Sequence, residues 1–293
     1  MRKFFLIISL MTMTLVFGQK NDLQKHQLKG KVETIISNQY ELVLKFGELT
    51  KGNSQPHSSY AYSFDQKGNI VVRSKYNSKE GKFEYEYVAY KYATDGTIEY
   101  DNEYIKKQEK RKSFFSSLAS DLTGEDIGGK VQEKEEIVRK SKYTYKENKV
   151  VIDRHNVNDK LIGKIVREYT DDDRLLSEII YDSYGDLIYK GVCTYKDGLL
   201  VKEEKFEHSE VYKRGKGTET VIFYVYDENG NVIKEEGYEI VFGVKIDFIK
   251  EYTYTFDEQE NWIERTQNIY LSSVLGKEEK STIMERKITY YQN

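Results

Sequence analysis

Four segments of the chain share one local design, and it constrains the fold more than any other feature. They run Tyr62-Ser63-Phe64-Asp65-Gln66-Lys67-Gly68-Asn69-Ile70, then Ile179 to Leu187 through Asp182, Gly185 and Asp186, then Tyr224 to Val232 through Asp227, Gly230 and Asn231, and Tyr254 to Trp262 through Asp257, Glu260 and Asn261. In each, an aromatic precedes the first Asp, and Asn or Asp follows four residues later. Residues at alternate positions share one face of a strand, so the large side chains before each Asp line a common surface. The Asp carboxylate accepts from backbone N–H groups just ahead of it and so starts a turn. Glycine then supplies a positive φ without steric cost. The apolar residue after the Asn opens the return strand. Glu260 replaces the glycine in one copy, which predicts a strained or differently wound turn there.

The spaces between these units carry shorter signals. Asp95-Gly96 and Asp197-Gly198 have the two-residue hairpin pattern, and Glu147-Asn148 and Asp171 to Arg174 also read as turns. With Gly68, Gly96, Gly185, Gly198 and Gly230 as punctuation, the chain reads as an antiparallel meander. A single proline, Pro56, agrees with that reading, because proline cannot donate to a sheet ladder. Apolar residues are 38% of the chain, below the usual ~45–50%. Many are tyrosines, and a compact globule of this length needs more aliphatic core. The expected fold class is therefore all-β: an extended antiparallel meander of hairpin repeats, forming a single-layer or half-open curved sheet. Helix is expected to stay below about 15%, against the ~30–35% of average proteins. Residues 101–141 break the pattern. They are charge-rich, and Phe115, Leu118 and Leu122 fall at helical spacing, so a charged insertion with a short helix or loop is expected.

The first eighteen residues have a different character. Arg2 and Lys3 precede an uncharged, mostly apolar run from Phe4 to Phe17, followed by Gly18 and Gln19. This is the pattern of a secretory signal peptide. The run is shorter than the ~20 residues a spanning helix needs. The reading is a signal peptide over 1–18 and a β-repeat domain over 19–293, with the mature chain starting at or near Gln19, exported, secreted or periplasmic, and carrying no transmembrane anchor.

The units at 64–69, 226–231 and 256–261 resemble YD repeats, the building blocks of RHS-type bacterial surface and toxin-shell proteins. The start Leu28-Lys29-Gly30-Lys31-Val32 and the end Glu285 to Tyr291 resemble the margins of small secreted bacterial proteins made of such units. The resemblance implies an antiparallel β repeat, export, and association with carbohydrate or a cell surface. This chain departs from the family in being short, irregularly spaced and without a toxin domain after its last strand.

Candidate chemistry is sparse. His26, His57, His155 and His208 are scattered, with no metal-ligand spacing. Asp227-Glu228-Asn229-Gly230-Asn231 begins like a calcium loop, but Val232 and Tyr238 stand where an EF-hand needs glycine and glutamate. Cys193 with His208 could form a thiolate pair, yet Cys193 alternates with Tyr189 and Tyr195 on one strand face and reads as a small buried hydrophobe. Trp262 takes the slot filled elsewhere by Ile70, Leu187 and Val232, so it is expected to be buried and structural. No catalytic, cofactor-binding or metal residues are called, no cofactor is called for, and no ligand-binding residue is assigned. With 46 Lys and Arg against 49 Asp and Glu, the chain has no electrostatic footprint for nucleic acid. The expected function is an exported, non-catalytic β-repeat protein presenting a binding surface to glycan or an envelope protein. The alternative is a structural or assembly component of an envelope or secretion system, with an unrecognised hydrolase third.

Overall fold

The structure, a computed structural model, describes residues 22–26, 28–55, 59–77, 82–110, 131–208, 217–274 and 276–292. Within them the chain is almost wholly β. One helical turn, α1 (Asp22–Lys25), precedes β1 (Val32–Lys45), β2 (Glu48–Ser54), β3 (Tyr60–Phe64), β4 (Ile70–Asn77), β5 (Lys82–Tyr92) and β6 (Ile98–Lys110). Then come β7 (Val131–Lys146), β8 (Lys149–Asn156), β9 (Leu161–Tyr169), β10 (Leu175–Asp182), β11 (Leu187–Lys196) and β12 (Leu199–His208). The last five are β13 (Gly217–Tyr226), β14 (Val232–Val241), β15 (Val244–Phe256), β16 (Trp262–Ser273) and β17 (Gly276–Tyr290).

Strands β3 to β17 pair antiparallel in chain order, and β1 lies between β17 and β3. Ile35 faces Ile288 on one side and Tyr62 on the other. The sheet therefore closes into a sixteen-strand barrel. β2 folds back on the second half of β1, in line with β3.

The expected all-β, antiparallel, nearly helix-free architecture is what the structure shows. The open, single-layer form is corrected: the two ends of the meander find each other. The unit resembling a YD repeat is a hairpin turn of a closed ring, not a module of an extended repeat protein. Residues 101–110 and 131–141 lie within β6 and β7 rather than in an insertion, while Phe115, Leu118 and Leu122 lie outside the described residues, as does the expected signal peptide.

Three further expectations fall with the open sheet. A binding surface for glycan or an envelope partner was to be one face of that sheet, but closure turns that face into a lumen. The alternative, a structural or assembly component of an envelope or secretion system, falls with the open repeat sheet, because a closed ring offers no long free edges for assembly. The expectation of a secreted or periplasmic chain without a transmembrane anchor is corrected as well: no helix among the described residues is long and apolar enough to cross a membrane, but barrels cross with strands.

The hairpin turns explain how the ring is built. Seven five-residue turns share one geometry: 65–69, 93–97, 156–160, 170–174, 182–186, 227–231 and 257–261. In each, the first N–H donates to the fifth carbonyl and the fourth N–H to the first carbonyl, as Asp227 N to Asn231 O at 2.9 Å and Gly230 N to Asp227 O at 3.1 Å. The fourth residue has positive φ, and Glu260 takes it at 61° in the same winding as its glycine counterparts. The turn at Asn156 was not legible as one of this set, because Asp159 holds the glycine position.

Candidate functional site: the lumen

For sixteen strands a barrel is too wide for side chains to fill, so a lumen follows from the strand count. Alternation assigns the faces. Tyr90, Asp101, Ser141 and Arg154 are register partners across β5 to β8 and all point inward. Their neighbours Lys142, Asp153 and Lys164 point outward, and Lys164 pairs with Asp153 at 3.7 Å. Outward pairs Lys149–Glu168, Lys202–Glu204 and Lys234–Glu236 extend this charged pattern around the wall. A lipid-facing barrel instead presents an apolar band about 25 Å tall.

The inner face carries tyrosine, arginine and a few carboxylates beside buried apolar residues such as Val88, Ile152 and Ile165. A compact apolar cluster, Leu23, Val32, Ile35, Phe64 and Ile70, sits at one end, where α1 enters the barrel. Asp22 fixes it there: its carboxylate accepts from the Ile70 N–H at 2.8 Å and from the Tyr92 hydroxyl at 2.7 Å.

Tyrosine hydroxyls bind the hairpins together at that end. Tyr145 donates to the Ile98 carbonyl, Tyr195 to Leu175, Tyr226 to Leu200 and Tyr254 to Val232, at 2.7–3.1 Å, while Tyr92, whose proton goes to Asp22, lies 2.9 Å from the Ile70 carbonyl. Each joins the end of one strand to the beginning of the preceding strand, where no turn connects them. The aromatic residue before a turn was readable from sequence, but its bond to the neighbouring hairpin was not.

Beyond this end lies a cavity of about 1070 Å³. Arg139 pairs with Glu103 at 2.8 Å and Arg167 with Glu178 at 2.6 Å. Asp101 is 6% exposed and accepts from the Tyr143 hydroxyl at 2.5 Å. Burial first, then the Asp101 charge, pushes the Tyr143 phenol well above its usual range. Among the described residues Arg73 and Arg154 have no ion pair. Burial, followed by the nearby Arg139 charge, lowers the Arg154 pKa.

The residues singled out from sequence are dispersed. Cys193 is half-buried on the inner face of β11 opposite Glu203, and alternation puts His208 on the outer face of β12, so the thiolate pair does not form. Asp227 spends its carboxylate on the turn, accepting from the N–H groups of Asn229 and Asn231 and from the Asn231 side chain. His57 lies outside the described residues, and no group of three or more potential metal ligands occurs among the described ones. Trp262 is half-buried on the lumen wall rather than buried in a core, with the Arg286 guanidinium 3.3 Å above its ring.

Fold and site together define a closed antiparallel β-barrel with a polar, arginine- and tyrosine-lined interior. No family model and no curated protein matches the sequence. Among solved structures, the chain is similar to a porin-like protein from Bacteroides uniformis, with a TM-score of 0.37 and 8% identity over 89% of this chain and 98% of that one. It is also similar to the outer membrane protein Omp33 of Acinetobacter baumannii, with a TM-score of 0.29 and 9% identity over 88% and 99%. Similarity at this level carries no argument about function, which has to come from the lumen itself.

Proposed function

We propose that this chain works through its lumen, as a non-catalytic barrel that takes up a small anionic solute. The observation that carries the reading is the pair Arg73 and Arg154, two inward guanidinium groups without an ion-pair partner among the described residues, lining one cavity of about 1070 Å³. A guanidinium offers a fixed fork of donors that suits carboxylate, sulfate or phosphate oxygens. The surrounding tyrosines add apolar ring faces for the rest of a solute. Their hydroxyls at the barrel end are committed to carbonyls, which favours binding over reaction.

Equilibrium dialysis with fluorescein as an anionic dye and rhodamine 6G as a cationic one tests this. Saturable binding of the anion alone is expected, weakened about tenfold or more in Arg154→Gln and in Arg73→Gln, since a hydrogen bond to a charged group contributes about 1.5–3 kcal/mol. Equal binding of both dyes, or unchanged affinity in both variants, would overturn it. Anion-selective conductance in a planar bilayer would make the lumen a conduit rather than a receptor. The outward lysines weigh against that outcome, because each costs ~2–4 kcal/mol at a bilayer midplane.

A further inference from the structure

Across the barrel from that cavity, β16 and β17 place two more arginines on the inner face. Arg286 stacks on Trp262 and donates to the Tyr60 hydroxyl at 3.2 Å. Arg265 lies over the same indole, 5.2 Å from its centre, and 5.1 Å from the Tyr252 ring. The nearest acidic side chains in sequence, Glu264 and Glu285, face each other on the outside of the wall. Among the described residues neither guanidinium has a carboxylate partner, and the Nε–H of each is buried without an acceptor.

Two like charges held over one ring, each with an unmet buried donor, are a costly arrangement for an empty wall. Stacking on Trp262 and Tyr252 offsets part of the cost and fixes both forks in place. The local potential is positive enough to act on a neighbour. Burial pushes the Tyr60 phenol up, yet the Arg286 charge, hydrogen bonds from Ser37 and Arg286, and lastly the Arg265 charge together leave its pKa below the ordinary value. Arg286 itself is lowered, by burial first.

We infer that Arg265 and Arg286 form a second lumenal site, for a phosphate group or another doubly charged tetrahedral oxyanion, with the Tyr60 hydroxyl beside it. Two fixed guanidinium groups match a dianion in charge, and their terminal N–H donors match its several acceptor oxygens. A monocarboxylate satisfies one fork and leaves the other unmet. The inference goes beyond the anion-binding cavity and does not depend on it, because the two sets of arginines lie on different strands.

Trp262 is the only tryptophan in the chain, so its emission reports this site alone. The experiment titrates the full chain with inorganic phosphate, and with acetate and chloride at matched ionic strength, while reading tryptophan fluorescence. A saturable change with phosphate is expected, with a much weaker response to acetate and none to chloride. Arg265→Gln and Arg286→Gln should each weaken phosphate at least about tenfold, while Lys142→Gln, on the outer face, leaves the titration unchanged. Phosphate should raise the Tm of the unaltered protein by more than that of either variant. Should Arg286→Gln fail to fold, Arg265→Gln carries the test, since Arg265 makes ring contacts and no ion pair. No saturable response to phosphate, or the same affinity in a folded Arg265→Gln variant, would overturn the inference. Failure of dye binding with an intact phosphate response would sink only the first cavity.

Discussion

Tyr226 and Phe256 hold equivalent places before their turn aspartates, yet only Tyr226 has a hydroxyl to reach the neighbouring hairpin. In the second unit the role moves two residues back along the same face, to Tyr254. Tyr226→Phe keeps the ring and leaves the Leu200 carbonyl without its donor. A loss of about 0.5–1.5 kcal/mol in chemical denaturation is expected, with an unchanged circular dichroism spectrum. Tyr224→Phe serves as a contrast, because that hydroxyl goes to the Glu203 carboxylate and ties no backbone. Asp227 gives the second prediction at this scale. The Asn231 side chain and the backbone N–H groups of the turn hold its carboxyl below the usual carboxylate range. A depressed folded pKa stabilises the fold above the unfolded value of about 3.9 and loses that contribution as pH falls through the folded value. Denaturation midpoints measured from neutral pH down to pH ~2 should therefore drop less steeply in Asp227→Asn than in the unaltered chain. Parallel curves would remove Asp227 from the acid response.

Among the elements, the segment before β1 does more than lead into the barrel. Asn261, 3% exposed, accepts from the Lys29 N–H and donates to the Lys29 carbonyl, both at 2.8 Å, and also donates to the Tyr290 hydroxyl. Lys29 pairs with Glu260, the residue that replaces the turn glycine. One turn thus clamps the start of β1 and the end of β17, the two strands that close the ring. Asn261→Ala should cost about 1–3 kcal/mol, because it leaves buried backbone groups unpaired. Faster amide exchange should be concentrated in β1 and β17. Asn231→Ala, in a turn of identical design with no such clamp, should cost less and leave that seam alone. Equal effects would assign Asn261 to its turn only. This contrast shows what was readable beforehand. The Asp-to-Asn spacing and the aromatics before it sufficed to place the turns and the strands beside them, since those rules are local. Nothing in Asn261 itself distinguishes it from Asn231, for its partners Lys29 and Tyr290 are far away in sequence. The lumenal arginines were hidden for the same reason: alternation gives each a face, but only closure tells which face is inside.

At the scale of the whole molecule, closure decides how the parts depend on one another. In an open meander each hairpin contacts only its neighbours, so stability is a sum of local contributions and a terminal hairpin can be lost alone. Here β17 is hydrogen-bonded to β16 on one edge and to β1 on the other, and removing it leaves two free edges at once. The low aliphatic content sharpens the effect. With polar and charged side chains over much of its inner face, the wall depends on its unbroken ladder and on tyrosine clasps between hairpins. A chain ending after Ser273 therefore exposes the long edges of β16 and β1, and exposed edges template pairing with other chains. The truncated protein is expected to elute as aggregates in size-exclusion chromatography and to lose the single cooperative unfolding transition. Binding of phosphate reported by Trp262 should vanish with it, since Arg286 is lost with β17. The opposite edge supplies the control. β2 lies outside the ring, paired only along the second half of β1, so weakening its ladder with Thr50→Pro should leave one cooperative transition and a monomeric elution volume. A truncated chain that stays monomeric and unfolds cooperatively, with only a proportionate loss of stability, would mean that the meander stands without its seam and that closure is not what holds this protein together.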